Sequence, residues 1–481
     1  MFRYGRSVIH PTLAQLFMLQ SVVLLATYVL FFRKFDVPFG LKLILLGTYA
    51  TVPAALLIKG IQSAVYVSDL FLPLFLVMAV LNPREVFGPR RALVTTLVAV
   101  LVILPLVIAF IHGIVGDQHG GLGSRNPKGD IIWLYRNVTY VAVLWYGMSL
   151  RLSERQAISV VQMNVVLAGI LGLMGLVSYL GPVDLAVFEE LAWKEWVEEV
   201  YQEQRIGLGF MGLFRASVGQ WFAMIAILIA GTYGVLSASY RFWGMAVMGV
   251  SIGVILLSQS RAGLVGLAIG LALLSVMARG WVPRATAIVG VGGMASWMVF
   301  KQEALLSRAE SIFSGSQNAH DRVLAWKNAY AYFSQHFDAF IFGVGPANRD
   351  TVFKAIGAYG AHNEYIDVLF RLGFLGFLGL MGFLVVLIMM LVTSRHRVDW
   401  EGHTIVTTAA IIVIVNCAIG MTQEHLLHDY ASHTMGVFIY LFYGIMLGIE
   451  SPFEKDELAI EEGTASAWEA ETGYANVSGH G

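Results

Sequence analysis

The chain has 481 residues, 57% hydrophobic and only 13% charged, with a mean hydropathy of +0.70 and a formal net charge of -1. A soluble globular chain carries about a quarter charged residues, so this composition excludes a soluble protein and describes a polytopic, all-α integral membrane protein. The near-neutral balance leaves no basic footprint for nucleic acid, and the single cysteine, Cys417, excludes a disulfide framework and a cysteine metal site.

Runs long enough to cross about 30 Å of hydrocarbon fall near 11–32, 39–59, 64–81, 92–112, 131–150, 157–181, 217–238, 241–259, 262–278, 284–300, 364–391, 403–423 and 433–450. The expectation is about thirteen transmembrane helices, with twelve possible. The first run exceeds the length of a signal-peptide core and precedes no small-residue cleavage pattern, so it reads as a retained span. Basic residues cluster at Arg33-Lys34, Arg84, Arg90-Arg91, Arg151, Arg155, Arg241, Arg279, Arg284, Arg395 and Arg397. By the positive-inside rule these loops are cytoplasmic. The alternate loops, 113–130, 182–216, 301–360 and 424–432, are then extracytoplasmic, with the tail from Glu454 inside. One conflict remains: thirteen spans put Arg3 and Arg6 outside, so either those charges are overruled or one of the first three segments does not cross. The expected organisation is an N-terminal set of spans (1–181), a core with the large loop 301–360 (182–450), and an acidic, disordered tail (451–481). No internal repeat supports a transporter built from paired halves.

Within the extracytoplasmic loops, Trp193, Trp196, Val197 and Val200 follow helical spacing amid glutamates. They read as an interfacial amphipathic helix, with acceptor binding as the sharper alternative. Next comes the glycine-rich stretch Arg205-Ile-Gly-Leu-Gly-Phe-Met-Gly-Leu-Phe-Arg215, which leads into a span. Cations at such a mouth are tolerated beside an anion or a watery cavity, or by snorkelling to lipid phosphate. Ser258-Gln-Ser-Arg261-Ala-Gly263 forms a turn of small residues between two spans. Such residues let backbones approach closely and would hold Arg261, whose planar guanidinium suits phosphate oxygens, at the membrane boundary.

The large loop carries Arg308, His320, Arg322, His336 and Arg349. Asn318 with Asp321 reads as a helix start, and Val323, Trp326, Tyr330 and Phe333 as the apolar stripe of a helix spanning about 320–333, packed on the spans beneath. Phe342-Gly-Val-Gly345-Pro reads as a tight turn, and Gly357 to Gly360 as a flexible lead-in to His362-Asn363. At a helix start the dipole disfavours imidazolium, and a neutral imidazole is what a general base requires; a structural histidine satisfies the position equally well.

These segments, with Leu372-Gly-Phe-Leu-Gly376, occur in the order seen in the O-antigen ligase and polymerase family of membrane glycosyltransferases, which the chain resembles over about residues 200–390. The resemblance implies a GT-C-like fold and metal-independent, inverting transfer of a glycan from an undecaprenyl-diphosphate-linked donor, without a cofactor. It also implies a glycan, lipid A-core or other acceptor, and a bacterial inner membrane with the active site facing the periplasm. The family's essential arginines map onto Arg215, Arg261 and Arg322, with Arg205 a further diphosphate ligand, and its essential histidine onto His362. No Asp-x-Asp pair occurs. His320, His336, His425, His428 and His433 share the outer side, so the choice of base rests on Asn363 beside it and on family position; Glu424, His425 and Asp429 would line the acceptor site or orient the base. A polymerase is favoured slightly over a ligase, and the alternative of a different class is a flippase for lipid-linked glycans.

Overall fold

In a computed structural model of the chain, the described residues are 12–53, 64–81, 96–115, 127–181, 183, 185, 206–208, 211, 215–258, 260–278, 284–285, 288, 317–346, 348–356, 363–396, 398–421 and 433–449. The protein is an all-α, multi-pass membrane protein apart from one small ribbon among the described residues. Six helices among the described residues are long and apolar enough to cross a membrane, and four apolar helices are shorter. The expected run 284–300 lies almost entirely outside the described residues.

The N-terminal helices are α1 (Leu13–Leu30), α2 (Phe39–Gly47), α3 (Phe71–Leu81), α4 (Leu104–Val115), α5 (Pro127–Ser149) and α6 (Glu154–Leu180). The core adds α7 (Arg215–Thr232), α8 (Ala238–Ser258), α9 (Arg261–Met277), α10 (Gln317–Gln335), α11 (Phe337–Phe342), α12 (Arg349–Ala355), α13 (Glu364–Ser394), α14 (Trp400–Gly420) and α15 (His433–Leu447). The runs expected at 39–59 and 64–81 are not continuous helices. Helix α2 stops after nine residues, about 14 Å of rise, and the chain continues into an antiparallel ribbon pairing Thr51–Pro53 with Ala64–Tyr66. Thr51, Val52 and Val65 are β-branched and favour extended backbone, and Pro53 has no N–H to continue a helix.

Side-chain contacts define two ends of the bundle. At one, Phe35 meets the Tyr240 ring at 5.9 Å, Arg241 donates to the Leu236 and Gly234 carbonyls, and both Glu154 oxygens cap the start of α14 through the Asp399 and Gly402 amides. This end gathers Arg33, Lys34, Arg151, Arg155, Arg241 and Arg395, the residues that the positive-inside rule groups together. Helix α1 runs away from the other end: Gln20, in its first half, donates to the Tyr49 carbonyl, and Tyr49 packs on Trp221, two turns into α7. The start of α1 therefore shares an end with the start of α7. Of the two ways out of the N-terminal conflict, this arrangement fits overruled charges; Arg3 and Arg6 themselves lie outside the described residues.

Candidate functional site

The end opposite the basic clusters brings together the starts of α7, α9 and α13 and the finish of α14. Glycine makes the first junction possible. Gly219, one turn after Arg215, lies against Ser258 and Ser260, and a methyl at Gly263 would sit 2.6 Å from the Gly219 carbonyl oxygen. Small residues permit this backbone-to-backbone approach in place of side-chain packing. Ser260 caps α9 by accepting from the Gly263 amide at 3.1 Å. Arg215 and Arg261, each the first residue of its helix, are thus carried on two helix starts locked together; the Arg261 side chain is exposed.

Helix α14 joins this pair to α13. A Cβ at Gly266, on α9, would meet Ile419 Cδ1 at 2.6 Å, and one at the neighbouring Gly420 would meet Glu364 Cβ at 3.4 Å. Asn363 caps α13, its Oδ1 accepting from the Tyr365 and Ile366 amides, while its Nδ2 donates to the Met421 carbonyl at 3.0 Å. Of the helix start expected about Ala361-His362-Asn363-Glu364, the described part is present, with Asn363 as the cap and Glu364 buried in the first turn. His362 and Arg205 lie outside the described residues, as do the loop tryptophans Trp193 and Trp196 and the residues Glu424, His425, His428 and Asp429.

The loop segment folds into its own small core against α13. Ala325, Ala329 and Tyr332 of α10 pack with Ala339, Val344, Val352 and Phe353 around Phe370 of α13. This corrects the expected stripe. Val323, Trp326 and Tyr330 are exposed, Phe333 is half-buried, and the buried face is turned toward the aromatic cluster that Phe353 and Phe370 form at 4.5 Å. Helix α10 also begins at Gln317, so Asn318 lies inside it, with Arg322 in its second turn.

The Gly343-Val344-Gly345 turn is present, and its two glycines have φ of +81° and +90°. It wedges into α13 where Gly373 breaks the helix with φ +68°. The break removes carbonyl partners in the helix, and the Val344 amide supplies one by donating to the Phe370 carbonyl at 2.7 Å. A broken helix survives at membrane depth when neighbouring protein re-satisfies its backbone in this way. His112 Nδ1 lies 2.7 Å from the Gly343 carbonyl, and Asn348 donates to the Val344 and Gly113 carbonyls, so α4 grips the same turn.

A buried charge cluster that the sequence reading passed over completes the region. Asp367 pairs with Arg349 of α12 through one oxygen and with Arg371 through the other at 2.6 Å. Arg371 also donates to the Pro346 carbonyl and lies over the Trp133 ring at 5.6 Å; Arg349 lies over Phe353 at 5.1 Å. An aspartate and an arginine four residues apart inside an apolar span were the available signal, because ionisable groups there are costly and find partners.

The arrangement gathers the starts of helices bearing Arg215, Arg261 and Asn363 at one end of the bundle, beside a docked helix bearing Arg322. Guanidiniums on such a platform suit phosphate oxygens. Residues 246–381 match the family model described as O-antigen ligase, which supports the O-antigen ligase and polymerase family; Arg261, Arg322 and His362 fall inside the matched stretch, Arg205 and Arg215 before it. No curated protein matches the chain.

Proposed function

We propose that this protein, which belongs to the O-antigen ligase and polymerase family through residues 246–381, transfers or polymerises undecaprenyl-diphosphate-linked glycan at the extracytoplasmic face of a bacterial inner membrane. The observation that carries the reading is the junction of Gly219 with Ser260 and Gly263, which ties the helix starts bearing Arg215 and Arg261 into one unit. A role in building surface polysaccharide follows from the family match over residues 246–381.

In this reading His362 accepts the proton of the acceptor hydroxyl as that oxygen attacks C1 of the donor sugar. The C1–O bond to the diphosphate breaks, the anomeric configuration inverts, and undecaprenyl diphosphate departs with the bonding electrons. Arg215, Arg261 and Arg322, with Arg205, hold the diphosphate and stabilise the charge that grows on it. Preorganised cations aimed at developing charge are often the largest catalytic contribution, and they make a divalent ion unnecessary here.

Within the class we favour a polymerase, whose acceptor is another lipid-linked repeat unit, over a ligase to lipid A-core. Glycan analysis of a deletion strain tests both. Single repeat units on the final anchor identify a lost polymerase, long polymer left on undecaprenyl diphosphate identifies a lost ligase, and an unaltered glycan profile rejects the reading.

A further inference from the structure

The upper part of α13, from Glu364 to Leu372, is severed from the rest of the helix at Gly373. Nine residues are too few for a helix to hold itself by propensity, so its orientation depends on what grips it. The loop segment grips it through the Val344 amide on the Phe370 carbonyl, the Phe353, Tyr332 and Phe333 rings on the Phe370 ring, the Pro346 carbonyl accepting from Arg371, and the pairing of Arg349 with Asp367. Asp367 joins the two sides by charge, because its oxygens are divided between Arg349, on α12, and Arg371, one turn along its own helix. The carboxylate is almost completely buried, as are both guanidiniums.

From this geometry we propose that Asp367 is a positioning residue of the transferase. It clamps the α10–α12 unit to the severed half-helix of α13 and so fixes the helix bearing Arg322 relative to the membrane helices bearing Arg215 and Arg261. Helices α10, α11 and α12 are then a fixed wall of the site. This inference rests on the glycan-transfer reading, since it gives the clamp its purpose.

The test measures geometry and activity separately in the full chain. Spin labels on Tyr330→Cys (α10) and Met421→Cys (end of α14), both exposed sites, in a Cys417→Ser background report the distance between the loop unit and the bundle. A narrow distribution is expected for the unmodified clamp, broadening in Asp367→Asn and recovering in Asp367→Glu. Displacement of reacting groups by about 1 Å can cost about a hundredfold in rate. With lipid-linked glycan extracted from the host as donor, Asp367→Asn should therefore lose between about tenfold and a hundredfold in kcat per folded molecule, with KM within about twofold. If Asp367→Asn yields no folded protein, Arg349→Lys, which keeps the charge and loses the fork, is read by the same criteria. A folded variant that retains the narrow distribution, or wild-type kcat, overturns the clamp. Absence of glycan transfer by the wild-type chain overturns the functional reading instead, while the distance measurement still decides the clamp.

Discussion

Gly263 and Gly219 meet backbone to backbone, so closely that a single methyl on Gly263 would lie 2.6 Å from the Gly219 carbonyl oxygen and 2.7 Å from its carbonyl carbon. Backbone cannot yield as a flexible side chain would, so Gly263→Ala must part α7 from α9. The expected cost is about 1–3 kcal/mol of stability, as for other overpacked sites. Because the same movement separates the helix starts bearing Arg215 and Arg261, activity should fall further than folding does, by at least about tenfold. Gly249→Ala is the control, since a methyl there meets nothing within 4 Å. Thermal unfolding and glycan transfer measured on both variants check this, and equal activities would break the link between the junction and the site.

The sequence carried the ends of most helices because apolar length and turn chemistry are local. Ser258 to Gly263 read as a turn of small residues and is one; Asn363 read as the place where a helix restarts and caps it with two accepted amides. Contacts between distant segments were not legible. The buried face of α10 follows Phe353 and Phe370, so the local stripe through Val323, Trp326 and Tyr330 misled. The break at Gly373 depends on a turn thirty residues earlier, and a glycine in an apolar run reads equally well as a packing site. Asp367 and Arg371 were visible as charges in a span, but their third partner, Arg349, arrives only with the fold. Of the five site residues read from sequence, Arg261 is an exposed helix start, Arg215 and Arg322 have described helix positions, and Arg205 and His362 lie outside the described residues.

His362→Ala separates the transferase from a flippase. A transferase deprived of its base should lose polymer or ligation product almost completely and accumulate lipid-linked precursor on the extracytoplasmic leaflet, since general-base contributions are typically about 10²–10⁴-fold. Lipid movement needs no base, so a flippase would keep its product. Thin-layer analysis of lipid-linked glycan together with the polymer profile of the complemented strain gives the answer.

Arg261→Lys asks whether charge alone suffices at the start of α9. Lysine keeps the cation but loses the planar two-donor face that matches phosphate oxygens. If the diphosphate is held there, the substitution should lower kcat/KM for the lipid-linked donor by about tenfold or more, corresponding to about 1.4 kcal/mol of lost transition-state stabilisation. The acceptor KM should stay within about twofold. A lysine variant with wild-type kcat/KM would reduce Arg261 to a lipid-phosphate anchor.

Tyr332 gives the loop unit a characteristic response to alkali. Burial, with the Asp338 carboxylate nearby, pushes its phenol up from 10.0 to about 12. The folded state therefore holds this proton more tightly than the unfolded chain does. The stabilisation that follows is complete below pH 10 and is lost as pH rises from 10 through 12. Its hydroxyl has no hydrogen-bond partner among the described residues, so Tyr332→Phe removes the titration without stranding a polar neighbour. Thermal unfolding of the full chain at pH 9 and pH 11 should show a smaller alkaline loss for Tyr332→Phe than for wild type. Equal losses would mean that Tyr332 ionises without opposing the fold.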